Sequence, residues 1–449
     1  MVSLKYWTST VPLHSDSPFC MLRAMSPLYR APRGTVDVLP QEQPYWEHVR
    51  QTATRLCQLY GYSRVDTPIF EEAGLFVRGV GQATDIVQKE MYVFQDRGGE
   101  MMALRPEGTA NVCRAYIQHG MHNLPQPVRL YYWGPAFRYD RPQAGRQRQF
   151  THFGYEAIGE DDPALDAEII ELAWRLYQEL GISDLTLHLN SIGDRNCRPR
   201  YLETLKAYYA DKLVRLCPDC RARFQTNPLR LLDCKVEGCQ PTIAAAPPFS
   251  DYLCQECAQH FHELRSYLEA LGIPYTLNPR LVRGLDYYTR TVFEIQPPEQ
   301  GAQNTVGAGG RYDGLIEELG SRSTPAIGFA TGIERVIANL KRAKVPIPAP
   351  AGPAVFVVYQ TAAARSAAVR LASELRRAGI AAVMAVGGRS LKAQMRQADA
   401  TGVLYAAILG EEELATGTVV LRRMEDGQQE RAARKDARRL IAKGLRQAR

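Results

Sequence analysis

A proline-rich run over residues 344–353, KVPIPAPAGP, divides the chain. Proline neither continues a helix nor donates to a sheet ladder, so such a run is an extended spacer, and the chain on each side must bury a core of its own. Beyond it, 355–359 reads as a strand, 362–378 as a helix, 381–386 as a strand, 391–398 as a helix and 403–409 as a strand. Strand and helix in alternation imply parallel crossovers, hence a compact α/β domain over 354–449. It carries no obvious catalytic constellation, so binding is its expected role.

The 449 residues exceed what one ordinary core holds, and 45% hydrophobic with 23% charged residues is the balance of a soluble globular protein. No stretch approaches the roughly 18 consecutive apolar residues of a membrane helix. Residues 1–28 lack the apolar core of a secretory signal and read as a flexible extension, with a faint transit-peptide flavour or a later start at Met21 or Met25 as alternatives. The formal charge of +7 is uneven, because Arg and Lys crowd 431–449 against Asp436 alone. That tail suits either phosphate attraction or the solvated face of a terminal helix packed through Leu440, Ile441 and Leu445.

Between 29 and 343 the pattern mixes helices with strands. Trp46, Val49, Ala53, Leu56 and Tyr60 recur at helical spacing and Gly61 ends the run, after which 63–67 reads as a strand stopped by Pro68. Two short strands at 91–94 and 101–104 flank a glycine turn. The second leads through Arg105, Pro106, Glu107, Gly108 and Thr109 into a helix. Glu and Thr there serve either as ordinary first-turn residues or as holders of a ligand ammonium. Strands at 128–137 and 149–158 form a hairpin whose loop is longer than turning requires and holds Arg138, Arg141, Arg146 and Arg148, a set suited to gripping phosphates. Phe150 just beyond it can stack on a base.

The densest chemistry lies in 280–294, RLVRGLDYYTRTVFE. Arg283 offers a planar fork for phosphate or carboxylate, Gly284 a turn, and Tyr287 and Tyr288 aromatic walls with hydroxyl tips, ahead of a strand that alternates from Thr289. The bland alternative is a turn held by an Arg and Asp pair. VGAGGRYDGL at 306–315 is a weak candidate for a phosphate loop. AIGFATGIERVI at 326–337 passes from strand into a helix carrying Glu334 and Arg335, the latter aimed at the sheet or simply paired with an acid.

From 194 to 272 the texture turns helical and cysteine-bearing, as an insertion or small separate domain. Cys217 with Cys220, and Cys254 with Cys257, have the local spacing of a four-cysteine zinc site, although the separation between the pairs is long; Cys234 and Cys239 lie between them. Without a secretory signal reduced thiols are favoured over disulfides. Structural zinc and a metal-free thiol cluster both stay open, and no residue is assigned as a metal ligand.

Taken together, these motifs resemble the class II aminoacyl-tRNA synthetases, and among them the histidyl-tRNA synthetases, from about Tyr29 onward. The helix and strand ending at Pro68 look like the class's dimer-forming motif 1, FRYDRP at 137–142 like motif 2, and GFATGIER at 328–335 like motif 3. RLVRGLDYYTRTVFE and GGRYDGL are similar to the two histidine-specific motifs, and LRPEGT at 104–109 fits the same family. The resemblance implies a central antiparallel sheet flanked by helices with a mostly helical insertion, an anticodon-binding C-terminal domain, a cytoplasmic homodimer, and ATP with its Mg2+ and tRNA(His) as partners. It implies activation of histidine to the adenylate, then transfer to the terminal ribose of tRNA. By this carry-over Arg138, Arg283 and Arg335 serve catalysis and ATP, with Phe150 on adenine. Glu107 and Thr109 would hold the amino group, Glu156 and Tyr288 would flank the imidazole beside Tyr287, and Arg141 and Gln143 would face tRNA.

One position departs from the family, which usually carries glutamine where this chain has His152. At an ordinary imidazole pKa, protonation would repel the substrate ammonium and weaken histidine binding below about pH 6.5. Arg283→Ala is expected to abolish adenylate formation and leave the fold intact. The rival reading, a regulatory paralogue, generally lacks both the full arginine motif and the C-terminal domain present here. A synthetase for proline, threonine or glycine shares that domain type but not RGLDYY.

Overall fold

The computed structural model describes residues 29–82, 84–141, 146–298, 305–347 and 352–447. The extension expected over 1–28, Gln143, and the middle of the proline run lie outside the described residues. The chain divides into two compact units between Pro346 and Ile347.

The first unit is built on an eight-stranded sheet. In order across it run Ser63–Arg64, Val128–Phe137, Gln149–Ile158, Ala326–Gly332, Gly307–Arg311, Thr289–Gln296, Thr186–Ser191 and Thr276–Leu277. The six central strands are antiparallel, as expected, but each edge strand joins in parallel, so the sheet as a whole is mixed. The long hairpin pairs along its full length, Val128 opposite Ile158 and Phe137 opposite Gln149.

The glycine-rich run is not a loop. Gly307, Gly309 and Gly310 form a buried strand in mid-sheet, where a Cβ on Gly309 would meet the Phe293 ring and the Gly328 carbonyl. The glycines therefore serve close packing, because bare backbone lets aromatic rings lie against the sheet. Beside them the strand Thr289–Gln296 carries a bulge. Its register shifts between Gly310 and Arg311, and Arg290 adopts φ +46° while donating to the Gly193 carbonyl at 2.7 Å.

Helices cover the sheet. Gln43–Leu59 buries Val49, Ala53 and Leu56, with Trp46 and Tyr60 only half-buried, and Gly61 closes it at φ +77°. Pro163–Glu179 starts on Asp162, whose side chain accepts from the Ala164 amide at 2.8 Å. It buries Asp166 against Arg311 from the glycine strand; both side chains are fully buried and the pair spans 2.7 Å. The insertion leaves the sheet after Ser191, runs through Arg198–Ala210, Pro218–Thr226, Gln240–Ala244 and Gln255–Ala270, and returns at Thr276. A separate three-stranded sheet of Phe70–Glu72, Met101–Leu104 and Val93–Gln95 carries the turn that ends at Thr109.

The second unit holds a five-stranded sheet in the order Ala382–Met384, Val355–Tyr359, Tyr405–Leu409, Thr418–Arg423, Gln429–Ala433. The first three strands are parallel; the last two add antiparallel and were not announced by the strand and helix alternation. The basic tail is a helix, Arg434–Gln447, that buries Ala437 and Ile441, while Arg431 pairs with Glu412 and Glu413. The terminal helix of one reading is present, and its basic residues stay on the surface, where phosphate attraction also acts. No helix among the described residues is long and apolar enough to cross a membrane.

Candidate active site

The mouth of the central sheet opens into a cleft of about 870 Å³. Arg138, Arg283, Arg335, Glu107, Thr109, Phe150, His152, Glu156, Tyr287 and Tyr288 all line it, although they come from five separate stretches of sequence. Arg141 is exposed on the hairpin loop and does not line the cleft.

The floor is carboxylate and phenol. Glu156, on the strand Gln149–Ile158, accepts from the Thr109 hydroxyl at 2.7 Å and from the Tyr312 hydroxyl at 2.7 Å. It faces Gly328 across the strand pair, and any side chain there would collide with its carboxylate. Burial pushes its pKa up to about 8, against the two hydroxyl bonds, so at neutral pH the carboxyl keeps its proton. Glu107 is also buried and raised by burial, though it accepts from the Thr109 and Ala110 amides at 2.5 and 2.8 Å. Its bonds to the first-turn amides meet the structural reading of the Glu and Thr pair, and both residues also line the cleft. Thr109 spends its hydroxyl proton on Glu156 and meets a ligand ammonium only as an acceptor.

The phenol that touches Glu156 is Tyr312, which the sequence reading left out of the site. Tyr287 links the two groups, with ring centroids 4.7 Å from Tyr288 and 5.6 Å from Tyr312. Tyr288 lies under the Arg283 guanidinium, 5.8 Å from its ring centroid. Tyr312 was hidden because its neighbours Arg311 and Asp313 bind each other and Asp166 in the core, so one short motif serves site and scaffold at once.

Arg283 pairs with Glu294, another residue the sequence reading did not assign. Burial alone would weaken both charges, but each offsets the loss for the other: the Glu294 carboxyl sits below and Arg283 above its ordinary range. Arg283→Ala therefore removes the ion-pair partner of the half-buried Glu294, leaving it the Gln296 amide and Thr305 hydroxyl, as well as deleting a cation from the cleft. Arg283→Lys, which keeps a cation beside Glu294, is therefore the cleaner variant. Arg138 donates to the Pro106 carbonyl at 2.9 Å and lies 5.5 Å from the Phe150 ring. Arg335 donates to the Thr305 carbonyl at 3.0 Å, and burial followed by Arg146 and Arg138 weakens its hold on its proton. Arg138, Arg283 and Arg335 thus line one cleft, Arg283 beside Glu294, a cationic wall suited to a polyanion. Of the two other loop arginines, Arg146 also lines the cleft, paired with Asp140 at 2.8 Å, while Arg148 stacks on Tyr139 at 3.8 Å.

His152 does not behave as an ordinary imidazole. It is enclosed between Tyr132 and Phe150, and burial with the Arg138 and Arg105 charges drives its pKa down to about 3. It stays neutral across the whole working range, so the expected loss of histidine binding below pH 6.5 does not arise from this residue. Its Nδ1 has no hydrogen-bond partner among the described residues.

The insertion closes one wall with Cys217, Arg223, Arg230, Asp233, Cys234 and Lys235. Arg223 is tied across to Asp85 at 2.9 Å. Only tertiary structure brings these residues here, and apart from the thiols Cys217 and Cys234 no local sequence signal marks them. Within the insertion the two cysteine pairs do not meet. Cys217, Cys220, Cys234 and Cys239 converge in one place, and Cys254 and Cys257 join Asp194 and Cys197 in another, which corrects the single four-cysteine site drawn from the two pairs.

Comparison with known proteins agrees in both units. A family model described as histidyl-tRNA synthetase matches residues 34–336, and one described as an anticodon binding domain matches 354–444. A histidine–tRNA ligase of Dehalococcoides mccartyi is 58% identical over 402 residues, 90% of this chain and 96% of that protein. Another, from Desulforamulus reducens, is 50% identical over 399 residues, covering 89% and 95%. Among solved structures, apo histidyl-tRNA synthetase of S. aureus matches with a TM-score of 0.78 and 37% identity over 93% of this chain and 99% of that one. A Bacillus halodurans chain described as an ATP phosphoribosyltransferase regulatory subunit/histidyl-tRNA synthetase matches in fold alone, with a TM-score of 0.60 at 22% identity, over 85% and 97%.

Proposed function

The chain belongs to the histidyl-tRNA synthetase family and is a histidine–tRNA ligase, and from that premise we propose how its cleft works. The observation that carries the proposal is the segregation of charge: a protonated carboxyl and phenols on the floor, guanidinium groups above them. The imidazole of histidine lies against Glu156, with Tyr312 fixing that carboxyl and Tyr287 and Tyr288 walling the ring. The substrate ammonium meets Glu107 and Thr109, with the neutral His152 nearby as a hydrogen-bonding partner that adds no repulsion.

The substrate carboxylate is then directed at the α-phosphorus of ATP. Arg138 and Arg283 grip that phosphate from two sides and stabilise the charge that develops as pyrophosphate leaves; Arg335 runs along ATP, and Phe150 stacks on adenine. Mg2+ binds mainly to phosphates and water with one or two carboxylates. The cleft suits an ion that arrives with ATP, since Glu334 spends one oxygen on the Thr151 amide and keeps a buried second oxygen without a partner among the described residues. The histidyl group next passes to the tRNA terminus, approached past Arg141 and Gln143, while the C-terminal unit reads unpaired anticodon bases.

A cytoplasmic homodimer completes the reading. Phe70 and Phe94 are exposed side by side on one face of the three-stranded sheet, ring centroids 6.5 Å apart, which supports a second copy covering that face, and light scattering tests it. The regulatory-paralogue alternative is not favoured, given the identity to histidine–tRNA ligases in both units. The decisive assay is pyrophosphate exchange with ATP across a panel of amino acids. Histidine alone should drive it, and Arg283→Lys should slow it by about 100- to 1,000-fold, the usual cost of one misplaced charge-stabilising donor. Exchange driven by another amino acid, or by none, would overturn the proposal.

A further inference from the structure

We propose that the insertion holds two structural zinc ions, one in Cys217, Cys220, Cys234 and Cys239, the other in Asp194, Cys197, Cys254 and Cys257. In each group the four ligand atoms lie within 4.8 Å of one another. A tetrahedral shell with Zn–S near 2.3 Å places sulfurs about 3.8 Å apart, and an oxygen about 3.5 Å from a sulfur. The Cys217 and Cys234 sulfurs are 3.8 Å apart, those of Cys197 and Cys257 are 3.9 Å apart, and the Cys197 sulfur is 3.6 Å from an Asp194 oxygen. These are the edges of a shell around one ion. They are far beyond a disulfide bond, and all eight ligand residues are buried or half-buried.

The backbone is arranged for thiolates as well. The amides of Cys217, Cys220 and Val236 point at the sulfurs of Cys239, Cys217 and Cys234, at 3.2, 3.5 and 3.4 Å, and the Asp194 amide points at the Cys197 sulfur at 3.4 Å. Such donors stabilise negative charge on sulfur and hold a ligand in orientation. Buried cysteines that merely fill a core have no reason to converge in fours beneath backbone N–H groups. The pairs Cys217-x-x-Cys220, Asp194-x-x-Cys197 and Cys254-x-x-Cys257 have the short spacing of zinc knuckles, and Cys234 and Cys239 bracket four residues. Soft sulfur in tetrahedral array selects zinc among common divalent ions, whereas a multi-iron cluster needs its ligand sulfurs further apart than a single-ion shell allows.

The two sites divide the work. The Asp194 site joins the first turn of the insertion to the start of its last helix and so closes the whole excursion. The Cys217 site fixes the segment that carries Arg223, Arg230 and Lys235 along the cleft wall. Each closure removes freedom from the unfolded chain and holds a surface that packing alone, in so small a module, fixes weakly.

The test uses the full chain, purified reduced and without chelator, then supplied with zinc and desalted. Metal analysis should return two zinc ions per chain, Cys239→Ser should remove one and Cys257→Ser the other. Co(II) in place of zinc should give the intense visible absorption of tetrahedral thiolate coordination at two equivalents, a readout that needs no variant to fold. One ion lost only with Cys239→Ser supports the first site and overturns the second, and the converse holds. A reduced wild-type chain that retains neither zinc nor cobalt, or that carries iron with sulfide instead, overturns both.

Discussion

Two groups in the cleft have ionisation set by position more than by residue type. Glu156 is a carboxylic acid at pH 7 because burial raises it to about 8. In the proposed complex its proton would be shared with the imidazole of histidine, and that complex would have to recover a proton from solvent once pH passes about 8. The histidine KM in the exchange assay should therefore rise up to tenfold per unit above pH 8, and Glu156→Gln should lose that rise. The substrate amine titrates equally in both enzymes and cancels in the comparison. A common pH profile would remove the shared proton. His152 moves the opposite way, to about 3, so the ratio of histidine KM between the native enzyme and His152→Gln should stay constant from pH 8 to pH 6. A ratio that climbs at the acidic end would show that the imidazole does titrate.

The site is set by how elements abut. Gly328 sits opposite Glu156 with no room for a methyl group, so Gly328→Ala should displace the carboxylate and raise the histidine KM at least tenfold while the far-ultraviolet dichroism of the sheet persists. An unchanged KM would mean that the strand yields. The Arg311 and Asp166 pair binds the glycine strand to the helix Pro163–Glu179, with His260 from the insertion 3.5 Å from the same carboxylate and held neutral, its pKa near 4, by burial and the two neighbouring arginines. Arg311→Ala takes the guanidinium partner from Asp166 and leaves it in the core beside the neutral His260, at a cost of about 3–5 kcal/mol in urea unfolding of the first unit. A loss below about 1 kcal/mol, the worth of a surface pair, would show that water reaches it. Sequence alone places Arg311 in a motif similar to a histidine-specific one, and only the packing reveals that its guanidinium faces the core while Tyr312 beside it faces the site.

At the scale of the molecule, each unit has its own sheet and core. A chain ended after Pro346 should keep histidine-dependent pyrophosphate exchange within about threefold and lose most tRNA charging, because activation draws on cleft residues from the first unit alone. Equal loss of both activities would show that the second unit supports the first. The amino-acid order by itself determined the division at the proline run, both strands of the long hairpin to the residue, and the cluster of cleft-lining residues in 280–294. Those are local matters of periodicity, proline chemistry and side-chain type, carried by neighbours in the chain. Tertiary structure alone decided that Tyr312 donates to Glu156, and that Glu294 stands against Arg283. It also decided that His152 is neutral and that Cys197 and Asp194 complete a ligand set for Cys254 and Cys257. Each depends on distance and burial between residues far apart in sequence, and no local pattern encodes the dielectric around an imidazole or the meeting of sulfurs across a folded insertion.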